Sequence, residues 1–326
     1  MTIGVIGAGA WGTALAQVIA GGGEPVTLWA REAEVVEAIA SQRQNPLFLP
    51  GVALHQGIAA TADLADLAAC DVLMVVTPSQ HLRSVLGDTP ESGAPLVLCA
   101  KGIESGTRLL MSEVAQQVRP QAPIAVLSGP TFAHEVAAGQ PTAVTLACAD
   151  TALCGELSAR LARPRFRPYA TDDVVGAEIG GAVKNVLAIA CGVVEGRGLG
   201  QNARAALIAR GFAEMTRFGL ARGARAETLA GLSGLGDLVL TCTSTSSRNF
   251  SLGLGLGRGG SAAELMADRR TVAEGALTAP VLRDAARAAG IDMPITEAVC
   301  ALLAGEATVD RVVEALLARP LRQERA

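Results

Sequence analysis

Short apolar runs alternate with amphipathic stretches over the first half of the chain. Six runs, most of them bounded by Gly, Pro or Asp, predict strands at 3–6, 26–29, 72–76, 96–99, 124–127 and 143–146. Continuous apolar character is typical of strands that are covered on both faces of a parallel sheet. Helical periodicity lies between the runs, at 13–20, 32–42 and 109–118. The alternation predicts a doubly wound, mostly parallel α/β sheet.

The strand pattern ends near residue 170. Thr171, Asp172 and Asp173 indicate a helix start, because acidic side chains are favourable near the positive end of the helix dipole. The rest is helical only, at 173–194, 203–220, 262–267, 276–289, 295–304 and 308–318, and the Gly-rich stretches 196–200, 231–236 and 253–260 are interpreted as breaks. We therefore expect an α/β domain over 1–172 and an all-helical domain over 173–326.

Composition narrows the class of protein. Half of the residues are apolar and the formal charge is −4, which excludes a disordered chain and argues against a nucleic-acid binder. Seven scattered Cys without a Cys-x-x-Cys pair predict free, buried thiols in a reducing compartment. The three His are far apart and have no ligand partners nearby in sequence, so we expect no metal.

The uncharged stretch 1–23 resembles a signal peptide or membrane span only superficially. It is rich in Gly rather than Leu and has no basic segment before the apolar part, and no later run reaches about 18 unbroken apolar residues. We expect a soluble, cytoplasmic protein without a membrane span.

The choice of cations is unusual. Of the 27 basic residues 25 are Arg, and the two Lys are Lys101 and Lys184. Solvated positions usually accept either cation, so a chain that avoids Lys is expected to keep it where Arg cannot serve. A coding bias accounts for the count equally well.

The first predicted strand leads into a Gly-x-Gly-x-x-Gly motif formed by Gly7, Gly9 and Gly12. In a dinucleotide-binding loop the first Gly permits a tight turn, the second lets the backbone approach the pyrophosphate, and the third allows the helix to pack on the strand. The phosphates then lie at the helix N-terminus. The motif, placed between strand and helix, predicts a Rossmann-type N-terminal domain.

The end of the second predicted strand bears on cofactor choice. An acidic residue there normally binds the ribose hydroxyls of NAD, whereas Arg accommodates the 2′-phosphate of NADP. This chain has Arg31 followed by Glu32. The pattern favours NADP and leaves NAD open.

Two common sets of catalytic groups are missing from the sequence. A catalytic Tyr-x-x-x-Lys pair is absent, because the single Tyr, Tyr169, is followed four residues later by Asp173 rather than Lys. Sets of Cys and His that could bind a catalytic zinc are absent as well. Lys101 follows a predicted strand at the edge where open α/β sheets bind ligands. Lys184 shares a helix face with small residues, which leaves room for a ligand, although a lysine snorkelling at a domain boundary gives the same pattern.

These motifs together resemble the NAD(P)-dependent glycerol-3-phosphate dehydrogenases of bacterial type, from end to end of the chain. The resemblance rests on Gly-Ala-Gly-Ala-Trp-Gly-Thr-Ala-Leu-Ala at 7–16, Asn45 with Leu-Pro-Gly at 49–51, Lys101-Gly102, Ser-Gly-Pro-Thr-Phe-Ala at 128–133 with Glu135, the Gly-rich segment 176–185 ending in Lys184-Asn185, Gly-Leu-Gly-Asp-Leu at 234–238, Ser-Arg-Asn at 247–249 and Val-Ala-Glu-Gly at 272–275. Their order and spacing are specific, although each motif alone is ordinary.

The resemblance implies reversible hydride transfer between sn-glycerol 3-phosphate and NAD(P)+, giving dihydroxyacetone phosphate, and a supply of glycerol 3-phosphate for phospholipid synthesis. Lys184 is implied as the proton acceptor, assisted by Lys101 and Asp237. Substrate contacts are implied for Lys101, Gly129, Thr131, Lys184, Asp237, Ser247, Arg248 and Asn249. Cofactor contacts are implied for Gly7, Gly9, Ala10, Trp11, Gly12, Arg31, Phe48, Lys101, Ala133, Arg248, Val272 and Glu274.

The chemistry of the residues agrees with these roles. Oxidation of a secondary alcohol needs a base for the hydroxyl proton, and burial and neighbouring cations bring a lysine towards the working pH, which Arg cannot reach. Asp237 is predicted to orient Lys184, with a Gly-Asp turn as the alternative. Ser247, Arg248 and Asn249 precede a helical pattern and suit a phosphate, although such a cluster alone is more often a solvated loop. Thr131 has a helix cap as its alternative role.

Two rival functions stay open at this point. A β-hydroxyacid dehydrogenase also combines a Rossmann domain with a helical domain that carries Lys and Asn. A non-catalytic nicotinamide sensor would bind the cofactor without consuming it, but it has no need of a proton acceptor beside a phosphate clamp. A homodimer is expected only because it is the commonest closed assembly.

Overall fold

The computed structural model describes residues 1–267 and 273–320. An eight-stranded sheet has the order β3-β2-β1-β4-β5-β6-β7-β8. All neighbouring strands pair parallel except β6 and β7, which are antiparallel, so the predicted mostly parallel sheet is confirmed. The strands are β1 Ile3–Ile6, β2 Val26–Trp29, β3 Ile58–Thr61, β4 Val72–Val75, β5 Leu96–Leu98, β6 Ile124–Ser128, β7 Thr142–Cys148 and β8 Phe166–Thr171.

Helices connect these strands and cover both faces of the sheet. The buried residues form two clusters, one with Ile3, Val5 and Leu28 and the other with Ile6, Leu73 and Val75. Side chains of β1 alternate between the two clusters, as expected for a strand in the middle of a doubly covered sheet. The helices of this part are α1 Ala10–Gly21, α2 Ala33–Gln42, α3 Leu82–Asp88, α4 Met111–Val118, α5 Ala133–Ala137 and α6 Thr151–Leu161.

Two strands lack the continuous apolar run on which the sequence prediction relied. The outer strand β3 has the sequence Ile-Ala-Ala-Thr, and only its first residue is buried. The outer strand β8 contains Arg167, Pro168 and the half-exposed Tyr169. Edge strands are solvated along one side and tolerate polar residues and Pro, so their pattern differs from that of central strands.

The second half of the described chain is helical, as predicted, and no strand follows Thr171 within it. Asp173 caps the first of these helices, because its Oδ1 accepts from the Gly176 N–H at 2.8 Å. The helices are α7 Val174–Gly196, α8 Gln201–Ala221, α9 Ala226–Leu229, α10 Asp237–Cys242, α11 Arg248–Gly257, α12 Ala262–Leu265, α13 Glu274–Ala288, α14 Pro294–Leu303 and α15 Val309–Leu317.

Two of the three Gly-rich breaks were predicted wrongly. Most of the stretch 253–260 belongs to α11, and 231–236 contains a π-helical turn. A Cβ on Gly253 would lie 1.9 Å from the Ile189 carbonyl oxygen of α7, so glycine is present because two helix backbones touch. Only 196–200 is a break, where Gly198 and Gly200 have positive φ between α7 and α8.

The chain divides into two compact units, each of which is made of two separate segments of the sequence. Unit one comprises 1–182 and 219–240, and unit two comprises 183–218 and 241–326. The predicted division into domains 1–172 and 173–326 follows the change from strands to helices, and it stays a prediction.

Helix α7 is long and apolar enough to cross a membrane. However, 83% of its most apolar window is buried inside the protein, which is also found for the core helix of a soluble protein. All seven cysteines lie among the described residues, where they are buried and form no disulfide, as predicted.

Two buried carboxylates each accept hydrogen bonds at the start of another helix of their own unit. Glu178 accepts from the N–H of Ser112 at 2.8 Å and from its hydroxyl, at the start of α4. Glu214 accepts from the N–H groups of Ile295 and Thr296, at 2.6 and 3.3 Å, at the start of α14. Burial outweighs these bonds and raises the pKa of both Glu178 and Glu214 to about 7.

Both carboxyls therefore bind protons more tightly in the folded than in the unfolded protein. Their contribution to stability is greatest below the ordinary pKa of 4.5 and is lost as the pH rises through about 7. We expect Glu178→Gln to be as stable as the wild type at pH 5 and more stable at pH 8, by an amount on the order of 3 kcal/mol. Thermal unfolding at both pH values measures this, with the exposed Glu306→Gln as control. A stability difference that does not change with pH would contradict the prediction.

Candidate active site

The Gly-rich turn between β1 and α1 has the geometry of a phosphate-binding loop. Gly7 has a φ of +114°, and a Cβ there would lie 2.9 Å from the Val76 carbonyl oxygen. A Cβ on Gly12 would lie 1.8 Å from the Gly7 oxygen, whereas no atom lies within 4 Å of that position at Gly9. Gly7 and Gly12 thus allow tight packing, while Gly9 leaves the backbone open to a ligand. A dinucleotide pyrophosphate fits this side of the loop.

Other predicted cofactor residues surround this loop. Ala10 and Trp11 are half-buried in the first turn of α1, and the buried indole nitrogen of Trp11 has no hydrogen-bond partner in the described structure. Phe48 is half-buried in the segment after α2. Arg31 follows β2, and its side chain is 77% exposed and forms an ion pair with Glu32 at 2.9 Å. The two residues weighed against each other for the ribose position therefore bind one another.

Lys101 is a largely buried residue of unit one that forms an ion pair with Asp237. Its Nζ donates to the Gly129 carbonyl oxygen at 3.0 Å and to Asp237 Oδ2 at 2.7 Å. Lys101 follows β5 and Gly129 follows β6, so both lie at the carboxyl edge of neighbouring parallel strands. Asp237 is fully buried, and the Lys101 side chain is 14% exposed. Two of the three ammonium donors are thereby used within the protein, which leaves one for a ligand.

Thr131 and Ala133 lie in the segment after β6. The Thr131 hydroxyl donates to the Gly129 carbonyl oxygen at 3.3 Å, and both Thr131 and Ala133 are half-buried. The alternative role of Thr131 as a helix cap is not found, because the residue that precedes α5 is Phe132 and no side chain caps that helix.

Lys184 is a buried basic residue of unit two. It is 6% exposed, and its Nζ donates to the Thr241 hydroxyl oxygen at 2.9 Å. Lys184 lies on α7 and Thr241 on α10, so this hydrogen bond joins residues that are 57 positions apart. A hydroxyl both accepts and donates, so Thr241 can hold a lysine nitrogen in either protonation state.

The predicted phosphate cluster forms the start of α11. Ser247 is buried and caps the helix, with its hydroxyl accepting from the Phe250 N–H at 3.2 Å, whereas Arg248 is exposed. The Asn249 amide donates to Asn185 Oδ1 and accepts from the Gly275 N–H, both at 2.9 Å. Asn249 thus connects α11 with α7 and with α13, whose first residue is Glu274. Val272 lies outside the described residues.

The sequence analysis did not single out Thr241, and it named Asn45 only as part of a family motif without a role. Thr241 lies in an ordinary Leu-Thr-Cys stretch, and Asn45 follows α2. Each meets its partners only through the fold, since Asn45 contacts residues 32 and 37 positions earlier. The described residues contain no group of three or more His, Cys, Asp or Glu that could hold a metal ion.

Comparison with known families gives a consistent result. Residues 2–154 match the family described as NAD-dependent glycerol-3-phosphate dehydrogenase N-terminus, and residues 173–314 match its C-terminus. The chain is 64% identical over 321 residues to glycerol-3-phosphate dehydrogenase (NAD(P)+) 1 of Sphingopyxis alaskensis, covering 98% of this chain and 97% of the relative. It is 58% identical to the glycerol-3-phosphate dehydrogenase (NAD(P)+) of Caulobacter vibrioides, over 99% of this chain and 98% of the relative.

A solved structure shares the fold. The crystal structure of glycerol-3-phosphate dehydrogenase from Coxiella burnetii has a TM-score of 0.93 and 39% identity, covering 98% of this chain and 99% of that one. The similarity spans both units, and it favours the first of the three functional hypotheses.

The ion pair of Lys101 with Asp237 makes a stability prediction. Asp237→Asn leaves the ammonium in a largely buried place with no countercharge, and we expect a loss of about 3 kcal/mol in the free energy of unfolding. Lys101→Gln combined with Asp237→Asn removes both charges and should cost less than the sum of the single changes. Denaturant unfolding of the three variants measures the coupling. Additive losses would show that the pair contributes nothing beyond its separate groups.

Proposed function

Because the chain belongs to the family of NAD-dependent glycerol-3-phosphate dehydrogenases, we propose that its two lysines divide the work of one reversible reaction. The enzyme is an NAD(P)-dependent oxidoreductase that interconverts sn-glycerol 3-phosphate and dihydroxyacetone phosphate. When bound, the nicotinamide accepts the hydride from the alcohol carbon or returns it. The side chains must bind the substrate phosphate and move one proton at the substrate oxygen.

Lys184 moves that proton. A base must take the hydroxyl proton as the carbon is oxidised, and in reverse an ammonium protonates the nascent alkoxide. The observation that carries this role is that Lys184 is buried and donates to the Thr241 hydroxyl. Apart from Lys101, the other 25 basic residues of the chain are all Arg. An arginine at 184 would stay protonated and could not accept the proton.

Lys101 binds and orients the substrate. Its ammonium is fixed by Gly129 and Asp237, and its remaining donor points a positive charge at an oxygen of the ligand. Asp237 sets this orientation, and its predicted action on Lys184 is kept as a second role. Gly129 and Thr131 complete the substrate contacts of this edge of the sheet.

The phosphate is held at the start of α11. Arg248 offers a charged fork and Ser247 a hydroxyl at a helix N-terminus, where anions are stabilised by the helix dipole. Asn249 supports this arrangement through Asn185 and Gly275. Arg248 also approaches the cofactor, together with Val272 and Glu274.

The cofactor lies along the Gly-rich turn. Gly7, Gly9 and Gly12 shape the loop, and Ala10, Trp11, Phe48, Lys101 and Ala133 contact the dinucleotide. Arg31 is exposed and can leave Glu32 for a 2′-phosphate, since an exposed ion pair is worth less than about 1 kcal/mol. The enzyme then accepts NADPH and, through Glu32, NADH.

The cellular compartment, the oligomeric state and the metabolic role of the enzyme are part of the same proposal. The enzyme acts in the cytoplasm without a membrane span, as a homodimer, and supplies glycerol 3-phosphate for phospholipid synthesis. Gel filtration with light scattering measures the oligomeric state, and a monomer would remove the dimer from this proposal.

The activity is tested with purified protein and dihydroxyacetone phosphate. NADPH or NADH should be oxidised, which is read as loss of nicotinamide absorbance, whereas β-keto acids should give no turnover. Folded protein that turns over neither cofactor, or that reduces only the keto acids, would overturn the assignment.

The two lysines should respond differently to the same substitution. Lys184→Arg keeps the charge but removes the base, and we expect kcat to fall by about a thousandfold. Lys101→Arg keeps a cation at a binding position and should mainly raise the KM for dihydroxyacetone phosphate. Nicotinamide fluorescence titration checks that both variants still bind the cofactor. If Lys184→Arg retained most of the wild-type kcat, Lys184 would not be the proton acceptor.

A further inference from the structure

A buried asparagine next to the cofactor loop has no role in the assignments above. Asn45 is 0% exposed, and its Nδ2 donates to the Ala8 carbonyl oxygen and to the Thr13 hydroxyl oxygen, both at 2.8 Å. The Thr13 hydroxyl in turn donates to the same Ala8 oxygen at 3.1 Å. The Asn45 Oδ1 accepts from the Phe48 N–H at 3.1 Å. One amide thus joins the Gly-rich turn to the segment that carries Phe48.

The bond to Ala8 controls which way the loop amides point. The peptide between Ala8 and Gly9 is trans, so its N–H points away from its carbonyl oxygen. Two donors hold that oxygen on the buried side, and the Gly9 N–H is therefore directed to the opposite, open side of the loop. The amides of Ala10 and Trp11 follow in the first turn of α1, where a helix has no acceptors of its own.

We propose that Asn45 is a positioning residue for the dinucleotide, acting through the Ala8 carbonyl, the Thr13 hydroxyl and the Phe48 amide. It fixes the phosphate-facing amides of the Gly-rich turn and the place of Phe48 in a single arrangement. The proposal rests on cofactor binding by the family and is independent of the roles given to Lys101 and Lys184.

The residue type fits this task closely. The donors go to Ala8 and Thr13 and the acceptor to Phe48, so three of the four hydrogen bonds that an Asn amide can make are used. An aspartate has the same shape but would place a second oxygen against the Ala8 carbonyl. The Ala8 carbonyl would then lose one of its two donors and face a negative oxygen, so the loop is expected to rotate that peptide.

The test uses the full-length enzyme and separates cofactor from substrate kinetics. Asn45→Asp and Asn45→Ala should raise the KM for NADPH and NADH roughly tenfold, which corresponds to the loss of one or two hydrogen bonds. The KM for dihydroxyacetone phosphate should stay within about twofold of the wild-type value, and saturating cofactor should restore most of kcat. Wild-type turnover is established first, so a failure of the assigned reaction is seen separately.

Thr13 offers a second and milder pair of variants. Thr13→Val keeps the side-chain volume and removes the hydroxyl, and it should raise the cofactor KM, whereas Thr13→Ser keeps the hydroxyl and should restore it. Leu157→Ala, in the buried face of α6, is the control for a general loss of stability. It should lower the melting temperature without changing the cofactor KM.

Two results would overturn the proposal. One is a cofactor KM within twofold of wild type in the Thr13→Val variant and in every Asn45 variant that folds. The other is a loss of kcat and of both affinities that follows the melting temperature in the same way as in Leu157→Ala. Should both Asn45 variants fail to fold, the contrast between Thr13→Val and Thr13→Ser decides alone.

Discussion

The close packing of α7 is the constraint on which the rest of the molecule depends. Within unit one, a Cβ on Gly180 would lie 2.5 Å from the Ser233 carbonyl oxygen. Within unit two, a Cβ on Gly192 would lie 2.1 Å from the Phe250 carbonyl oxygen of α11. No side chain fits at either contact, so in each unit another backbone segment packs directly on α7. Within unit two, Lys184 and Asn185 lie on the part of α7 that leads to the Gly192 contact.

The packing of α7 within unit two helps to position the buried amine of Lys184. The helix sets its Cα, Thr241 on α10 holds its nitrogen, and Asn185 beside it ties α11 and α13 to the same helix through Asn249. A proton acceptor has to lie within hydrogen-bond reach of the reacting oxygen, and a displacement of about 1 Å lowers the reaction rate strongly. Site residues on packed helices meet this demand better than residues on loops.

The central strands and the Gly-rich turn were predictable because each leaves a local mark in the sequence, and the two lysines stand out by their rarity. Strand β1 is a continuous apolar run, and Gly7 and Gly12 are required by contacts within their own turn. The edge strands β3 and β8 were not predicted, because solvent-exposed strands lack a continuous apolar run. Part of α11 was interpreted as a break, because its glycines are needed for close contact with α7. Asp237 lies 136 residues from Lys101 and Thr241 lies 57 residues from Lys184, so these two contacts are visible only after folding.

Under the proposed function, the two lysines are present for two different physical reasons. The role proposed for Lys184 requires a group that can release a proton, which Arg cannot do. Lys101 is balanced by Asp237, so charge alone does not explain it. Its stem passes so close to α7 that a Cβ on Gly181 would lie 3.3 Å from Lys101 Cγ. A guanidinium is larger and flatter than an ammonium with three rotatable donors, so this close packing favours the smaller cation. In the proposed function, packing therefore accounts for Lys101 and proton release accounts for Lys184.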